Sequence, residues 1–253
     1  MDLEQWHDTV LFDGPPAGAA GHFAENAGAA LKLLDRRGIK ATFFMLGRLA
    51  DEYPGVARAI KAAGHELASH GYTHRSLWRM TPREFALDLK RSREAIQKAC
   101  GAAPAGYRSP TWSLKGRAAA FLPLIREAGF SYDASLYPLN SSAPRGPHEI
   151  IPGLTEFPPS VFNCLGFGLP FLGGTFLRWA GADFMRRRVA ALNRAGLPAV
   201  LYFHSWEFDA EPPAGLPFYK RAVQYYNVKS VPPKAEALLA AFDWAPMRDI
   251  LKK

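Results

Sequence analysis

Short apolar segments alternate with amphipathic helices along most of this chain, and this alternation restricts its fold more than any other feature of the sequence. Residues 39–46 form a β-prone apolar run that predicts a buried strand. A helix follows, which Pro54 opens and Gly64 ends, and residues 199–203 predict another apolar strand. Strands that alternate with helices build a parallel sheet. We therefore predict an α/β fold, a barrel of parallel strands, in a single domain that covers residues 1–253.

Composition bears on the partners and the location of the chain. Lys and Arg number 31 against 23 Asp and Glu, and the densest basic run, residues 186–188, suits a solvated helix face better than a nucleic-acid interface. The first residues lack the basic and apolar regions of a signal peptide. Residues 161–182 are apolar, but glycines, a proline and Arg178 interrupt them, so they predict no transmembrane helix and leave a peripheral membrane contact open. We expect a cytoplasmic protein, or one bound to the cytoplasmic side of a membrane, without a nucleic-acid partner.

Two histidines four residues apart, His70 and His74, are the strongest local indication of chemistry. In one helical turn or a tight loop, this spacing places both imidazoles on the same side, where they suit one divalent metal. Residues 64–69 predict a strand, so the pair lies at the carboxyl end of a strand, where α/β folds bind their ligands. Two surface histidines in a turn are the plainer interpretation, and the spacing by itself does not decide between them.

Other polar residues also fall where predicted strands end, and these ends meet on one face of a parallel barrel. They are Asp2, Glu4, Arg108, Asp133 and His204. A carboxylate with two histidines makes a facial metal site that keeps positions open for water and substrate. A second carboxylate beside it suits a general base, and a further histidine suits a general acid. The set therefore predicts a metal-assisted hydrolase.

The order of these motifs resembles the polysaccharide deacetylase superfamily, the NodB-homology group or carbohydrate esterase family 4. The motifs that carry the resemblance are Asp2-Leu3-Glu4, Ala41-Thr42-Phe43-Phe44, Gly64-His65-Glu66, His70-Gly71-Tyr72-Thr73-His74, Tyr107-Arg108-Ser109-Pro110 and Tyr202-Phe203-His204. Later segments resemble the exopolysaccharide-associated branch linked to PEP-CTERM/exosortase loci. They are Glu156-Phe157-Pro158-Pro159-Ser160, Gly173-Gly174-Thr175-Phe176, His204-Ser205-Trp206-Glu207 and residues 242–248.

The resemblance implies a distorted (β/α) barrel of about seven parallel strands. It also implies a metal-dependent enzyme that removes N-acetyl groups from an N-acetylated polysaccharide or its precursor, in the biosynthesis or modification of an exopolysaccharide. The metal ligands of the family match Glu4, His70 and His74. The expected ion is zinc, with cobalt, nickel or manganese as alternatives. Asp2 matches the general base, Arg108 the arginine that keeps the base ionised, and His204 the acid that protonates the leaving amine.

The opening motif departs from the family pattern. In the family a hydrophobic strand ends at this motif, whereas only Met1 precedes Asp2, so we expect either a start that lies further upstream or a barrel without its first strand. A rival opening motif is residues 12–15, in which Asp13 offers one acid rather than two. We prefer Asp2 and Glu4, because an Asp-Leu-Glu-x-Trp opening fits the branch.

Three residues are predicted to contact an acetylated glycan: Tyr107, Asp133 and Trp206. Trp206 follows His204 closely and offers an aromatic face to a sugar ring, whereas Asp133 could instead orient His204. A backbone N–H within residues 107–111 is expected to hold the oxyanion of the reaction. Two other functions stay open, a metal-assisted amidase that acts on a small cyclic amide and a catalytically degenerate glycan-binding protein.

Overall fold

The computed structural model of the protein describes residues 1–9, 11–12, 21–140, 142–209, 211–213 and 216–252. The main sheet consists of β1 (Asp2–Leu3), β2 (Thr42–Met45), β3 (Glu66–Ser69), β4 (Gly106–Tyr107), β5 (Tyr132–Asp133), β6 (His148–Ile151) and β7 (Leu154–Glu156). The order across the sheet is β1-β2-β3-β4-β5-β7-β6. Neighbouring strands are parallel except for β6 and β7, which are antiparallel. A separate hairpin joins β8 (Val161–Cys164) to β9 (Phe167–Pro170).

The segment near residue 200 contacts β1 at one end of the sheet and the residues that follow β7, consistent with the predicted distorted (β/α) barrel. The Asp2 amide donates to the Phe203 carbonyl oxygen at 3.0 Å, and Asp2 and His204 form a parallel bridge. Beyond β7, Ser160 Oγ accepts a hydrogen bond of 2.7 Å from the Val200 amide. Residues 199–203 were predicted to form a strand, but they form none, and only His204 after them makes the isolated bridge to Asp2. The neighbouring β1 is two residues long and offers little backbone to pair with.

The prediction that the barrel could lack its first strand is wrong. β1 is short, yet Asp2 lies opposite Phe44 and Leu3 opposite Met45 in a parallel pairing with β2. Because side chains alternate between the two faces of a strand, residues two apart share a face. Asp2 and Glu4 therefore point to the same side of the barrel wall, which holds the opening acids between two neighbouring segments. Asp13, in the rival motif, lies outside the described residues.

Helices surround the sheet on its outer side. In the part of the chain that the structure describes they are α1 (Phe23–Asp35), α2 (Gly47–Glu52), α3 (Pro54–Ala62), α4 (Pro82–Cys100), α5 (Ala118–Glu127), α6 (Thr175–Trp179), α7 (Ala182–Arg194), α8 (Phe218–Gln224), α9 (Val231–Ala241) and α10 (Met247–Ile250). The longest, α4, begins at a capping box of Thr81 and Glu84 and ends at Gly101, whose φ of 74° suits glycine.

Two buried clusters pack these helices onto the barrel. The larger one joins α1, α3, α7 and α9 to β2 through side chains such as Leu34, Phe43 and Leu238. The second packs α4 and α5 against β4 around Phe85 and Phe121. Among the described residues, no helix combines the length and the apolarity needed to cross a membrane.

Candidate active site

The carboxyl ends of β1, β3 and β4 meet at a cavity of about 630 Å³. These strands and the turns that follow them carry the polar residues of the cavity, and the segment near residue 200 adds a histidine. The residues that line the cavity include Asp2, Glu4, His70, His74, Arg108 and His204. The structure therefore brings together all the residues predicted to act as base, acid and metal ligands.

Glu4, His70 and His74 form a compact set of metal-ligating atoms. Glu4 Oε2 lies 2.7 Å from His74 Nε2 and 3.8 Å from His70 Nε2, and one ligand atom of each residue falls within 4.8 Å of the others. His70 Nδ1 donates to the Arg108 carbonyl oxygen at 2.9 Å, which leaves the lone pair on Nε2. Trp206 Nε1 donates to Glu4 Oε1 at 3.0 Å. Two imidazole nitrogens and a carboxylate, of which His70 and Glu4 are supported by these hydrogen bonds, fit a divalent transition metal.

The charge state of these groups also fits a metal site. Burial raises the pKa of Glu4, but the neighbouring His74 and His204 outweigh burial and hold this pKa well below its ordinary value. Glu4 is therefore ionised at neutral pH. Its side chain is only 4% exposed, so the carboxylate needs a cation close to it.

The turn between β3 and α4 holds His74 in an unusual backbone conformation. Gly71 has a φ of 78° and His74 a φ of 59°, values that glycine adopts freely and other residues rarely. Asp88 accepts hydrogen bonds from the Tyr72 amide at 2.8 Å and from the Thr73 hydroxyl at 3.1 Å. A Cβ on Gly71 would lie 2.9 Å from Asp88 Oδ2. Asp88, which the sequence reasoning missed, thus fixes the turn that presents His74.

Asp2 and Arg108 form a buried ion pair on the floor of the cavity. Arg108 Nη1 donates to Asp2 Oδ1 at 2.8 Å, and Arg108 Nε donates to the Ala134 carbonyl oxygen at 3.2 Å. The guanidinium also lies over the Phe44 ring, 4.1 Å from its centroid. Burial raises the pKa of Asp2, but Arg108, followed by His70, outweighs burial and lowers it below the ordinary value. Asp2 is therefore a carboxylate ready to accept a proton.

His204 lies close to Glu4, and Glu207 holds its ring. His204 Nδ1 lies 3.0 Å from Glu207 Oε2, and its Nε2 lies 3.9 Å from Glu4 Oε1. Burial lowers the pKa of His204, but Glu207 and Glu4 outweigh burial and raise it to about 9. Glu207 is fully buried and also lies 3.4 Å from Arg178 Nε. Sequence reasoning assigned no role to Glu207.

Comparisons with known proteins agree with this geometry. Residues 9–132 match the model of the polysaccharide deacetylase family, and residues 132–252 match a domain of unknown function, DUF3473. A peptidoglycan deacetylase of Helicobacter pylori is 33% identical over 126 residues, which are 49% of this chain and 42% of that protein. Residues 9–132, just under half of the chain, are thus similar to the polysaccharide deacetylase family.

Two further relatives extend the comparison. A chitooligosaccharide deacetylase of a Bradyrhizobium species is 36% identical over 81 residues, which are 32% of this chain and 37% of that protein. The chain thus spans less than half the length of both curated relatives. The crystal structure of a candidate polysaccharide deacetylase from Mycobacterium smegmatis covers 90% of this chain and 76% of its own, at 25% identity and a TM-score of 0.62. Asp2 and Glu4 lie just before the matched family segment, and His204 lies within the second segment.

Tyr107, predicted to contact the substrate, does not reach the cavity. Successive side chains of a strand point to opposite faces. Because Arg108 faces the cavity, the preceding Tyr107 faces away from it. Its fully buried ring lies 5.9 Å from the Phe85 ring and 5.7 Å from the Phe130 ring, between centroids. The prediction for Tyr107 is wrong, because this side chain belongs to the core under α4 and α5.

Asp133, also predicted at the site, pairs with another carboxyl group instead. The register of β5 and β7 places it opposite Glu156, within hydrogen-bonding reach. Burial raises the pKa of both groups, that of Asp133 to about 6. Asp133 Oδ2 and Glu156 Oε2 have no other partner among the described residues, so one shared proton satisfies both. Asp133 therefore neither contacts the substrate nor orients His204, which Glu207 does.

Trp206 is at the site, as predicted, but with a different contact. Its indole ring is stacked on His204, at an interplanar angle of 14° and a centroid distance of 5.7 Å. The side chain is only 3% exposed, so little of its face is open to a sugar. Its indole N–H instead orients the carboxylate of Glu4.

Proposed function

We propose that this protein is a metal-dependent hydrolase that removes N-acetyl groups from an N-acetylated polysaccharide or its precursor. One observation carries the proposal: a buried carboxylate–imidazole metal site lies in the same cavity as an ionised Asp2 and a cationic His204. Base, acid and metal site are the three parts that amide hydrolysis with a charged tetrahedral intermediate requires. Deacetylases of peptidoglycan and of chitooligosaccharides among the relatives support the substrate class.

Glu4, His70 and His74 would hold the ion, for which zinc is our first choice. A divalent ion bound there would supply Lewis acidity toward the acetyl carbonyl. Asp2 accepts the proton of the attacking water, and the Arg108 guanidinium keeps Asp2 ionised for this role. Asp2 is thus the general base of the proposal.

His204 supplies the proton that the leaving amine needs. Glu207 accepts from the Nδ1 side of the ring, which fixes the orientation of the imidazole and directs Nε2 toward the cavity. A raised pKa keeps this group protonated at neutral pH, so His204 can donate to the nitrogen as the C–N bond breaks. His204 is the general acid, and Glu207 is its positioning residue.

Thr111 offers the backbone N–H for the oxyanion. The amides of Arg108 and Ser109 already donate to neighbouring oxygens at 2.9 and 2.8 Å. Thr111 lines the cavity with a φ of 55°, and its amide has no acceptor in the part of the chain that the structure describes. This free donor at the cavity is therefore the one that we assign to the oxyanion.

We also propose that residues 1–253 act as one catalytic unit and that the polymer is an exopolysaccharide. Glu4 and Trp206, which are 202 positions apart in the chain, share one hydrogen bond at the site. Neither matched segment by itself therefore contains every part of the site. The exopolysaccharide is supported by the motifs of the second half, which resemble the exopolysaccharide-associated branch.

Acetate release from a pentamer of N-acetylglucosamine tests the proposal. Zinc-loaded protein should release acetate and equal amounts of free amine, and His74→Ala should lower the rate at least about 100-fold, because a ligand is lost. His22→Ala is the control, since this exposed imidazole pairs with Asp209 away from the cavity. A zinc-loaded wild-type protein that releases no acetate from oligomers or from N-acetylated polymers would overturn the proposal.

A further inference from the structure

Two exposed aromatic rings stand at the outer rim of the catalytic cavity, and the proposed mechanism does not use them. Trp179 is 68% exposed and Tyr226 is 50% exposed. Their ring centroids lie 4.7 Å apart with an interplanar angle of 33°, and both residues line the cavity that contains Glu4 and His204. We call this pair the aromatic wall. Large aromatic side chains this exposed contribute little to a core and are typical of binding sites.

Buried and partly buried hydrogen bonds hold the backbone on both sides of the aromatic wall. Arg178, which precedes Trp179, donates to the Val223 carbonyl oxygen at 3.3 Å and also to the Gln224 carbonyl oxygen. Asn227, which follows Tyr226, donates from Nδ2 to the Arg178 carbonyl oxygen at 2.7 Å. The two rings therefore stand on tethered segments, so a ligand would meet a surface that is already formed.

A second depression continues from the aromatic wall. It has a volume of about 860 Å³ and shares Ala222 and Tyr226 with the catalytic cavity. Phe218, which is 85% exposed, adds another aromatic face there. Charged donors and an acceptor, Arg221, Lys229 and Glu211, lie on its lining. The path from His204 over Tyr226 into this depression thus alternates apolar faces with groups that form hydrogen bonds.

We infer that the aromatic wall binds the sugar ring next to the one that loses its acetyl group, and that the second depression receives the following ring. The inference rests on the proposed function and names its substrate class: a glycan of several units rather than a monosaccharide or a small cyclic amide. A pyranose ring presents apolar C–H faces, which pack on aromatic rings, and equatorial hydroxyls, which hydrogen-bond to side chains such as those of Arg221 and Glu211.

A membrane surface is the other class of partner that exposed aromatic residues fit, and the geometry favours the glycan. The aromatic wall lines the cavity of Glu4 and His204 and is continuous with it. Glu211 shares the depression with the two cations, which weakens attraction to anionic headgroups. The helix that carries Phe218, α8, has only seven residues, too few for a long amphipathic face.

Kinetics on oligomers of increasing length test the inference. In the zinc-loaded protein, Trp179→Ala and Tyr226→Ala should each raise KM for the N-acetylglucosamine pentamer about tenfold, equivalent to about 1.4 kcal/mol, with a much smaller effect on kcat. The advantage of the pentamer over the monomer in kcat/KM should shrink by the same factor. Phe167→Ala is the matched control, because Phe167 is 66% exposed but lines neither depression. Tyr226→Phe, which keeps the ring, should retain the wild-type KM.

Binding measurements separate this inference from the proposed function. Calorimetric titration with the pentamer should show weaker binding by both alanine variants even if no acetate is released. Unchanged affinity and unchanged KM in both variants, beside an active wild-type protein, would overturn the inference and leave the proposed function standing. A membrane role makes a different prediction: the wild-type protein cosediments with phosphatidylglycerol vesicles, both alanine variants lose this binding, and KM stays unchanged. That result would assign the aromatic wall to a membrane and would also overturn the inference.

Discussion

Glu207 is the side chain on which the orientation and charge of His204 depend. It accepts from the His204 ring at 3.0 Å and from the His204 amide at 2.9 Å, and Arg178 lies on its other side. The negative charge of this buried carboxylate stabilises the imidazolium form of His204. A glutamine in place of Glu207 keeps the shape of the side chain but removes that charge.

Glu207→Gln should therefore lower kcat for deacetylation by about 10-fold to 100-fold, in the range typical of residues that orient a catalytic group. Affinity for zinc should change little, because Glu207 contacts no metal ligand directly. Asp209→Asn is the control, since Asp209 lies two residues further on and pairs with His22 instead. Steady-state kinetics and zinc titration of both variants check this, and an unchanged kcat in Glu207→Gln would contradict the assigned role.

Residues of the site differed in how far the sequence could predict them. His70 and His74 were accessible because four-residue spacing is a local property of the chain. Glu207 and Asp88 were not assigned, because an acid acquires its partner only when the turn beside it folds. The acid three residues after His204, at the start of a helical turn, was the available signal for Glu207, because this spacing resembles a capping box.

At the scale of the elements, the pairing of β5 with β7 carries a buried acid pair. The folded protein holds the shared proton of Asp133 and Glu156 at pH values at which the unfolded chain has released it, because burial raises both pKa values. A raised pKa in the folded state stabilises it at low pH, and this contribution is lost as pH rises through the folded pKa.

The free energy of unfolding should therefore fall as pH rises from about 4 through 6 and beyond, by up to about 1.4 kcal/mol per pH unit for each proton involved. Glu156→Gln should flatten this dependence, because the amide is neutral at every pH and can donate to Asp133. Glu127→Gln, on the exposed surface of α5, is the control. Urea unfolding between pH 4 and 8 checks the prediction, and parallel pH profiles for wild type and Glu156→Gln would contradict it.

Register explains why the elements were predicted better than the direction of their side chains. The strand that ends at Asp133 was recognised, but the sequence does not reveal that β7 aligns Glu156 beside it. Likewise, the apolar run of residues 199–203 was taken for a full strand, although its neighbour β1 offers only two residues to pair with. Both outcomes depend on pairing between distant segments, which local patterns do not specify.

At the scale of the whole molecule, the alternation of strands and helices was enough to predict a barrel, and the barrel brings distant acids and histidines to one cavity. The short β1 does hold Asp2 in the sheet. The apparent lack of a first strand is therefore no reason to regard the protein as a degenerate glycan binder. Because the metal ligands come from separate parts of the chain, a bound ion would also tie these parts together and stabilise the fold.

The most direct test is a titration of metal-free protein with zinc. Its two readouts are acetate release from the N-acetylglucosamine pentamer and the unfolding temperature. We predict that activity rises until one equivalent is bound per chain and that zinc at 100 times its Kd adds about 2.7 kcal/mol to the free energy of unfolding. His74→Ala should show neither effect, whereas His22→Ala should show both. Full acetate release by metal-free protein, or no acetate release by protein that binds one zinc tightly, would contradict the account.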